Sequence, residues 1–270
     1  MVGDELREWK ELLGPVISRP RGSGVFLDVD GVLAPIMARP ELTFVPEEVR
    51  RAVRRLVGVY GLVAVVSGRS AADAARLIDL PEVLVVGNHG MESLQEGRHR
   101  WLLPEEQLAW VRAARDHLAR DGLLRELGVR LEDKTASVAL HTRGAPDEGQ
   151  AWEVALTAAQ MTADDNGLVM LPGRRVIDLR PDGIDKGTAV RRLAEDHGLE
   201  AAVYVGDDRT DVDAFRALAS LQEEGRLSAV RVAVVSDEMP EELEAQADLA
   251  IEFAQVGDLL NVLGEAAPAA

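Results

Sequence analysis

Short apolar runs that break off into reactive polar groups, separated by amphipathic helical stretches, are the feature that most restricts how this chain can fold. VFLDVDG ends at Gly31, LVAVVSGR at Arg69, GIDKG at Gly187 and VYVGDDRTD at Asp211. Continuous apolar runs mark strands covered on both faces, and strands alternating with helices build a parallel sheet through crossover connections. The expected fold class is therefore α/β. Strands are expected near Val25–Leu27, Leu62–Val66, Val83–Val86, Val203–Val205 and Val230–Val235. A crossover helix is expected from Pro46 to Val57, where Val49, Ala52, Val53, Leu56 and Val57 share one face, and another from about Gly187 to His197. Ligands in open parallel sheets collect at the carboxyl ends of the strands, where Asp28, Ser67 and Asp207 fall.

Between Glu92 and about Arg180 the pattern changes to a long helical stretch from Pro104 to Leu127, the alternating segment RLEDKTASVALHTR, a helix near Glu148–Met161 and two short strands. That texture predicts an inserted α+β domain over 92–180, within a core formed by 1–91 and 181–270, with hinges near Gly90 and Pro181–Gly183. Leu168–Leu171 and Val176–Leu179 should form a hairpin around Pro172, Gly173 and Arg174. The terminal EAAPAA is low in complexity and is expected to fray.

Composition excludes several classes of function. The net charge of −17 disfavours a nucleic-acid partner, because affinity for a phosphate backbone comes mainly from Lys and Arg. No run reaches the ~20 apolar residues of a membrane helix, and the charged N-terminus MVGDELREWK is unlike a secretory signal, so no membrane partner and a cytoplasmic location are expected. A monomer is favoured. With no cysteine and five histidines, any metal should be one that prefers oxygen ligands, as Mg²⁺ does.

Asp28 is the candidate nucleophile, since a carboxylate can attack phosphorus in line and form a covalent intermediate. Asp30 is the candidate acid and base, its pKa expected to rise beside a neighbouring carboxylate. Asp207 should be a direct metal ligand, with Asp208 and Asp211 behind it, and Thr210 or Asp211 could cap the helix that follows. Ser67 and Gly68 can offer a hydroxyl and backbone N–H groups to phosphate, and Lys186 can neutralise it. Each motif also has a plain reading. DVDG could be a strand-to-turn transition, the Asp cluster or Ser67 a helix cap, and Lys186 a surface lysine. Their joint occurrence, in chain order and each at the end of an element, favours metal-dependent phosphoryl transfer.

These four segments resemble the motifs of the haloacid dehalogenase (HAD) superfamily of phosphatases. GDDRTDVDAF, GNHGME, LEDKTASVALHTR and VIDLRPDGIDKG are more specifically similar to the trehalose-6-phosphate phosphatase family, over roughly Val25–Phe215. The resemblance implies a Rossmann-like HAD core with an inserted α+β cap domain, a Mg²⁺ cofactor, and release of trehalose and phosphate from a small sugar phosphate. Residue by residue, it makes Asp28 the nucleophile, Asp30 the acid/base with its carbonyl on the metal, Asp207 the other carboxylate ligand, and Ser67 and Lys186 the phosphate holders. In the insert it assigns Glu132, Lys134, Ser137 and His141 to the sugar, with Arg69, Asn88, His89 and Asp178 as further substrate contacts. Val32 stands where the family usually has Thr, Val212 where it has Glu, and Asp178 where it has Glu. Alternative readings are a related phosphatase for glucosyl- or mannosyl-glycerate phosphate, sucrose phosphate or a pseudodisaccharide phosphate, a sugar phosphomutase, or an inactive sugar-phosphate sensor.

Overall fold

A computed structural model describes residues 2–37, 42–173, 175–236 and 239–265. Arg174 of the expected hairpin turn and 266–270 of the expected fraying tail lie outside these residues. In chain order the elements are α1 (Val2–Leu12), α2 (Gly14–Ile17), β1 (Ser23–Leu27), α3 (Glu47–Val57), β2 (Leu62–Val66), α4 (Ala71–Ile78), β3 (Leu84–Gly87), β4 (Glu92–Gln95) and β5 (Arg98–Trp101). There follow α5 (Glu105–Arg120), α6 (Gly122–Glu126), β6 (Arg130–Asp133), β7 (Val138–His141), α7 (Glu148–Asn166), β8 (Leu168–Pro172) and β9 (Val176–Pro181). The last stretch holds α8 (Lys186–Asp196), β10 (Ala201–Gly206), α9 (Asp211–Glu223), β11 (Ser228–Val235), α10 (Glu241–Gln246), β12 (Leu249–Glu252) and α11 (Val256–Gly264).

The chain divides into two compact units, one of 1–100 with 184–270 and a smaller one of 101–183. In the larger unit eight strands lie in the order β12-β11-β10-β1-β2-β3-β4-β5, the first six mutually parallel. This is the expected α/β class. Every residue of β1, β2 and β10 is buried, which explains why their sequences show no in–out alternation. Helix α3 contributes Val49, Ala52, Val53 and Leu56 to the core, each such aliphatic side chain larger than Ala adding roughly 1.5–3 kcal/mol of burial energy.

The polar segments of β4 and β5 extend the large sheet, β4 pairing antiparallel with β3. The change of texture expected at Glu92 therefore precedes the start of the small unit at Trp101. That unit contains the antiparallel sheet β6-β7-β9-β8, with β8 and β9 forming the expected hairpin. Its buried face, including Val138, Leu140, Ile177 and Leu179, packs with residues of α5 and α7. The single helix expected over 104–127 is divided, because the Asp121 carboxylate accepts hydrogen bonds from the N–H groups of Leu123 and Leu124 and starts α6 afresh. Helix α7 runs on to Asn166, where Gly167 at φ +64° ends it.

Candidate active site

Sheet order decides which residues meet. Successive crossovers from β1 move one way to β2 and β3, whereas β10 lies on the other flank of β1 and leads outward to β11 and β12. The direction of winding thus reverses between β1 and β10, and their carboxyl ends lead into Asp28 and Asp207. The Asp28 N–H donates to the carbonyl of Val205, 3.0 Å away, so the two strand ends are tied at this point.

Oxygens of Asp28, Asp207 and Asp211 lie within 4.8 Å of one another, and all three residues are buried. Lys186, only 1% exposed, donates from Nζ to Asp28 Oδ2 at 2.6 Å and to Asp211 Oδ1 at 2.8 Å, and lies 3.7 Å from Asp208 Oδ1. It is a buried counter-charge, not a surface lysine. Burial alone would favour its neutral form, but Asp211, Asp28 and Asp208 outweigh that and hold its pKa far above the usual range.

The acids do not share one role. Asp211 is saturated: Oδ1 accepts from Lys186 and from the Tyr204 hydroxyl at 2.6 Å, and Oδ2 from the N–H groups of Asp207 and Asp208 at 2.9 and 3.0 Å. Its work is to order the loop and the lysine. Among the described residues nothing donates to the Asp207 carboxylate, which rests against Gly31, where a Cβ would stand 2.0 Å from Oδ2. At φ +73° Gly31 also adopts a conformation that suits glycine. Burial first, then Asp211 and Asp208, push the Asp207 pKa up to about 8. Burial likewise raises Asp28 against the pull of Lys186. The excess of buried negative charge, with carboxylate oxygens as the donors, suits a hard divalent cation.

Of the two residues expected to cap α9, Thr210 and not Asp211 stands at the cap position. It does so without using its side chain, and the Asp208 carboxylate accepts from the N–H groups of Thr210 and Asp211 and from the Thr210 hydroxyl. Asp30 is also placed otherwise than expected. Its carboxylate is held by a guanidinium, with Arg69 Nε and Nη2 donating at 2.6 and 2.7 Å, and Arg69 donates in addition to Thr43 Oγ1. Val32 and Val212 lie in the apolar interior, so an added carboxylate at 212 would be desolvated.

Ser67 is buried, its Oγ accepting from the Arg69 N–H at 3.2 Å, and Gly68 is pressed by the His89 ring, 2.6 Å from where a Cβ would be. Asn88 turns its amide to Glu92 at 2.8 Å. Neither Glu92 nor Tyr204 stood out in the sequence, although GNHGME ends in the first. Within the small unit, Glu132 and His141 meet at 2.6 Å, while Lys134 and Ser137 both donate to Asp178 Oδ1 at 3.3 and 3.2 Å. The register places Glu132, Ala139 and Asp178 in one row, so the polar groups share the face opposite the buried one.

A family model described as trehalose-phosphatase matches residues 26–249. A Mycobacterium tuberculosis protein named as an uncharacterized glycosyl hydrolase is 34% identical over 73% of this chain and 15% of its own length. Arabidopsis thaliana probable trehalose-phosphate phosphatase H is 31% identical over 72% of this chain and 60% of its own. The chain thus spans less than two thirds of either relative. The solved C-terminal domain of C. albicans trehalose-6-phosphate phosphatase superposes with a TM-score of 0.73 at 21% identity, covering 96% of this chain and 97% of that one, and so shares its fold. By the match over most of its length, the chain belongs to the trehalose-phosphatase family.

Proposed function

We propose that the chain is a Mg²⁺-dependent phosphatase that hydrolyses trehalose 6-phosphate to trehalose and inorganic phosphate through an aspartyl-phosphate. The observation that carries this reading is the convergence of Asp28, Asp207 and Lys186 at the reversal point of the sheet. Asp28 attacks phosphorus as the bond to the sugar oxygen breaks, and Asp30 gives its proton to that oxygen. Asp30 then takes a proton from the water that attacks the aspartyl-phosphate, regenerating Asp28 and freeing phosphate. To act so, Asp30 must exchange its Arg69 partner for the leaving oxygen. Ser67, the N–H groups near Gly68, and Lys186 hold the phosphoryl oxygens. Carboxylates of Asp28 and Asp207 and the carbonyl of Asp30 would hold Mg²⁺, which when bound neutralises phosphoryl charge.

Sugar recognition we assign to the polar face of the small unit: Glu132, Lys134, Ser137, His141 and Asp178. Names carried by the plant and fungal relatives support trehalose 6-phosphate as the substrate. Phosphate release from a panel of sugar phosphates, with and without Mg²⁺, tests the proposal. Trehalose 6-phosphate should be turned over best, only with the metal, and Asp28→Asn should abolish turnover while keeping the fold. Better turnover of another sugar phosphate would displace the substrate assignment, and a rearranged sugar phosphate without free phosphate would displace hydrolysis. Lys134→Ala should impair trehalose 6-phosphate while largely sparing a small aryl phosphate; equal loss on both would remove the specificity role.

A further inference from the structure

We propose that Glu92 is a positioning residue that clamps the 88–90 turn onto the loop carrying Ser67 and Arg69, and so sets the geometry of the phosphate site. The inference rests on the phosphatase reading for its consequence, though the clamp itself is a matter of geometry. Glu92 opens β4 and its side chain is 6% exposed. Oε1 accepts from the Ala71 N–H and from Asn88 Nδ2, both at 2.8 Å, and Oε2 lies 2.5 Å from His99 Nε2. One carboxylate thereby joins the start of α4, the 88–90 turn and β5. It also takes an N–H of the first turn of α4, where a negative group is favoured.

What it holds is a conformation that does not persist unaided. Asn88 and His89 adopt φ +48° and +56°, and Gly90 follows at +111°. Two consecutive non-glycine residues in the left-handed region are strained, and such strain survives only where surrounding contacts impose it. Those contacts run to the Ser67 loop, the Asn88 N–H donating to the Arg69 carbonyl at 2.7 Å and the His89 N–H to the Ser67 carbonyl at 3.0 Å. The Asn88 side chain is secured by Glu92. No slack is left between the segments. A Cβ at Gly87 would stand 2.2 Å from the Ala71 nitrogen, and one at Gly90 would stand 2.7 Å from the carbonyl oxygen of Asp185, which immediately precedes Lys186. A shift of the turn must therefore pass to the Ser67 loop and to the start of α8.

The test uses full-length Glu92→Ala and Glu92→Gln, the second keeping an acceptor for Ala71 and Asn88 if the first folds poorly. For trehalose 6-phosphate and for an aryl phosphate, KM should rise about tenfold in Glu92→Ala, with kcat less affected and the inhibition constant of inorganic phosphate rising in parallel. Glu92→Gln should fall between it and the wild type. Amide exchange should accelerate at 67–71 and 87–91 while β1 and β10 stay protected. Unchanged KM, inhibition constant and local exchange in a folded variant would overturn the clamp, as would exchange that rises equally throughout the large sheet, since that marks a merely structural role. If the wild type releases no phosphate, the phosphatase reading fails by itself, and the exchange measurement still decides the clamp.

Discussion

Lys186 shows how much of the site hangs on one side chain. Its ammonium group lies between Asp28 and Asp211, and removing it leaves two buried carboxylates facing each other. Breaking a buried pair in this way typically costs about 3–5 kcal/mol, because the stranded charge cannot reach water. Lys186→Met should therefore lower the unfolding free energy obtained from urea denaturation at pH 8 by an amount in that range, and unchanged stability there would contradict the enclosed ion pairs. Gly31 is limiting for the opposite reason, since no side chain fits between it and Asp207. Gly31→Ala should leave a folded protein whose Mg²⁺ affinity is weakened by about 10–100-fold, the range seen when a ligand's support is disturbed. Calorimetric titration with Mg²⁺ checks this, and wild-type affinity would refute the close packing.

At the scale of elements, the start of α9 is held by Asp208, whose carboxylate serves two N–H groups and a hydroxyl. Asp208→Ala should cost about 1 kcal/mol, as loss of a helix cap does, and lower the Tm by about 2–4 °C. Thr210→Val should cost less, because its N–H keeps the Asp208 partner. Thermal unfolding of both variants would separate the roles, and a larger loss at Thr210 would restore it as the capping side chain. Local spacing in the sequence could not distinguish these neighbours, since each is an accepted cap residue. The strands β1, β2 and β10 were legible because burial on both faces leaves an unbroken apolar run. Strands β4 and β5 were not, because ESLQ and RHRW carry little apolar signal and are ordered by pairing onto the sheet. Asp28, Asp207 and Lys186 could be located because the ends of elements are visible in sequence. The partners of Asp30, Asn88 and Glu92 depend on which loops the topology brings together, and spacing does not report that.

Over the whole molecule, two halves of the chain meet at the sheet reversal and bury more acid than base, which couples folding to protonation and leaves buried carboxylates that could hold a metal ion. Asp207, at about 8 in the fold, binds its proton far more tightly than an ordinary aspartate with a pKa near ~3.9. Its contribution to the stability of the metal-free fold is fully present below about pH 4 and is lost as pH rises through about 8. Asp28 and Asp211, both raised first by burial, act in the same direction. Asp208 opposes them, its own burial being outweighed by Lys186 and Thr210, which hold it ionised. A divalent cation binds the ionised carboxylates, so it must displace the proton on Asp207 below about pH 8 and need not do so above it. The rise in Tm produced by saturating Mg²⁺ should accordingly be larger at pH 8.5 than at pH 6. Calorimetry near pH 7 in buffers of different ionisation enthalpy should find protons released as the ion binds. Equal rises in Tm at both pH values, with no proton release, would mean that Asp207 is already ionised before the metal arrives, and would remove the electrostatic reason for placing the ion there.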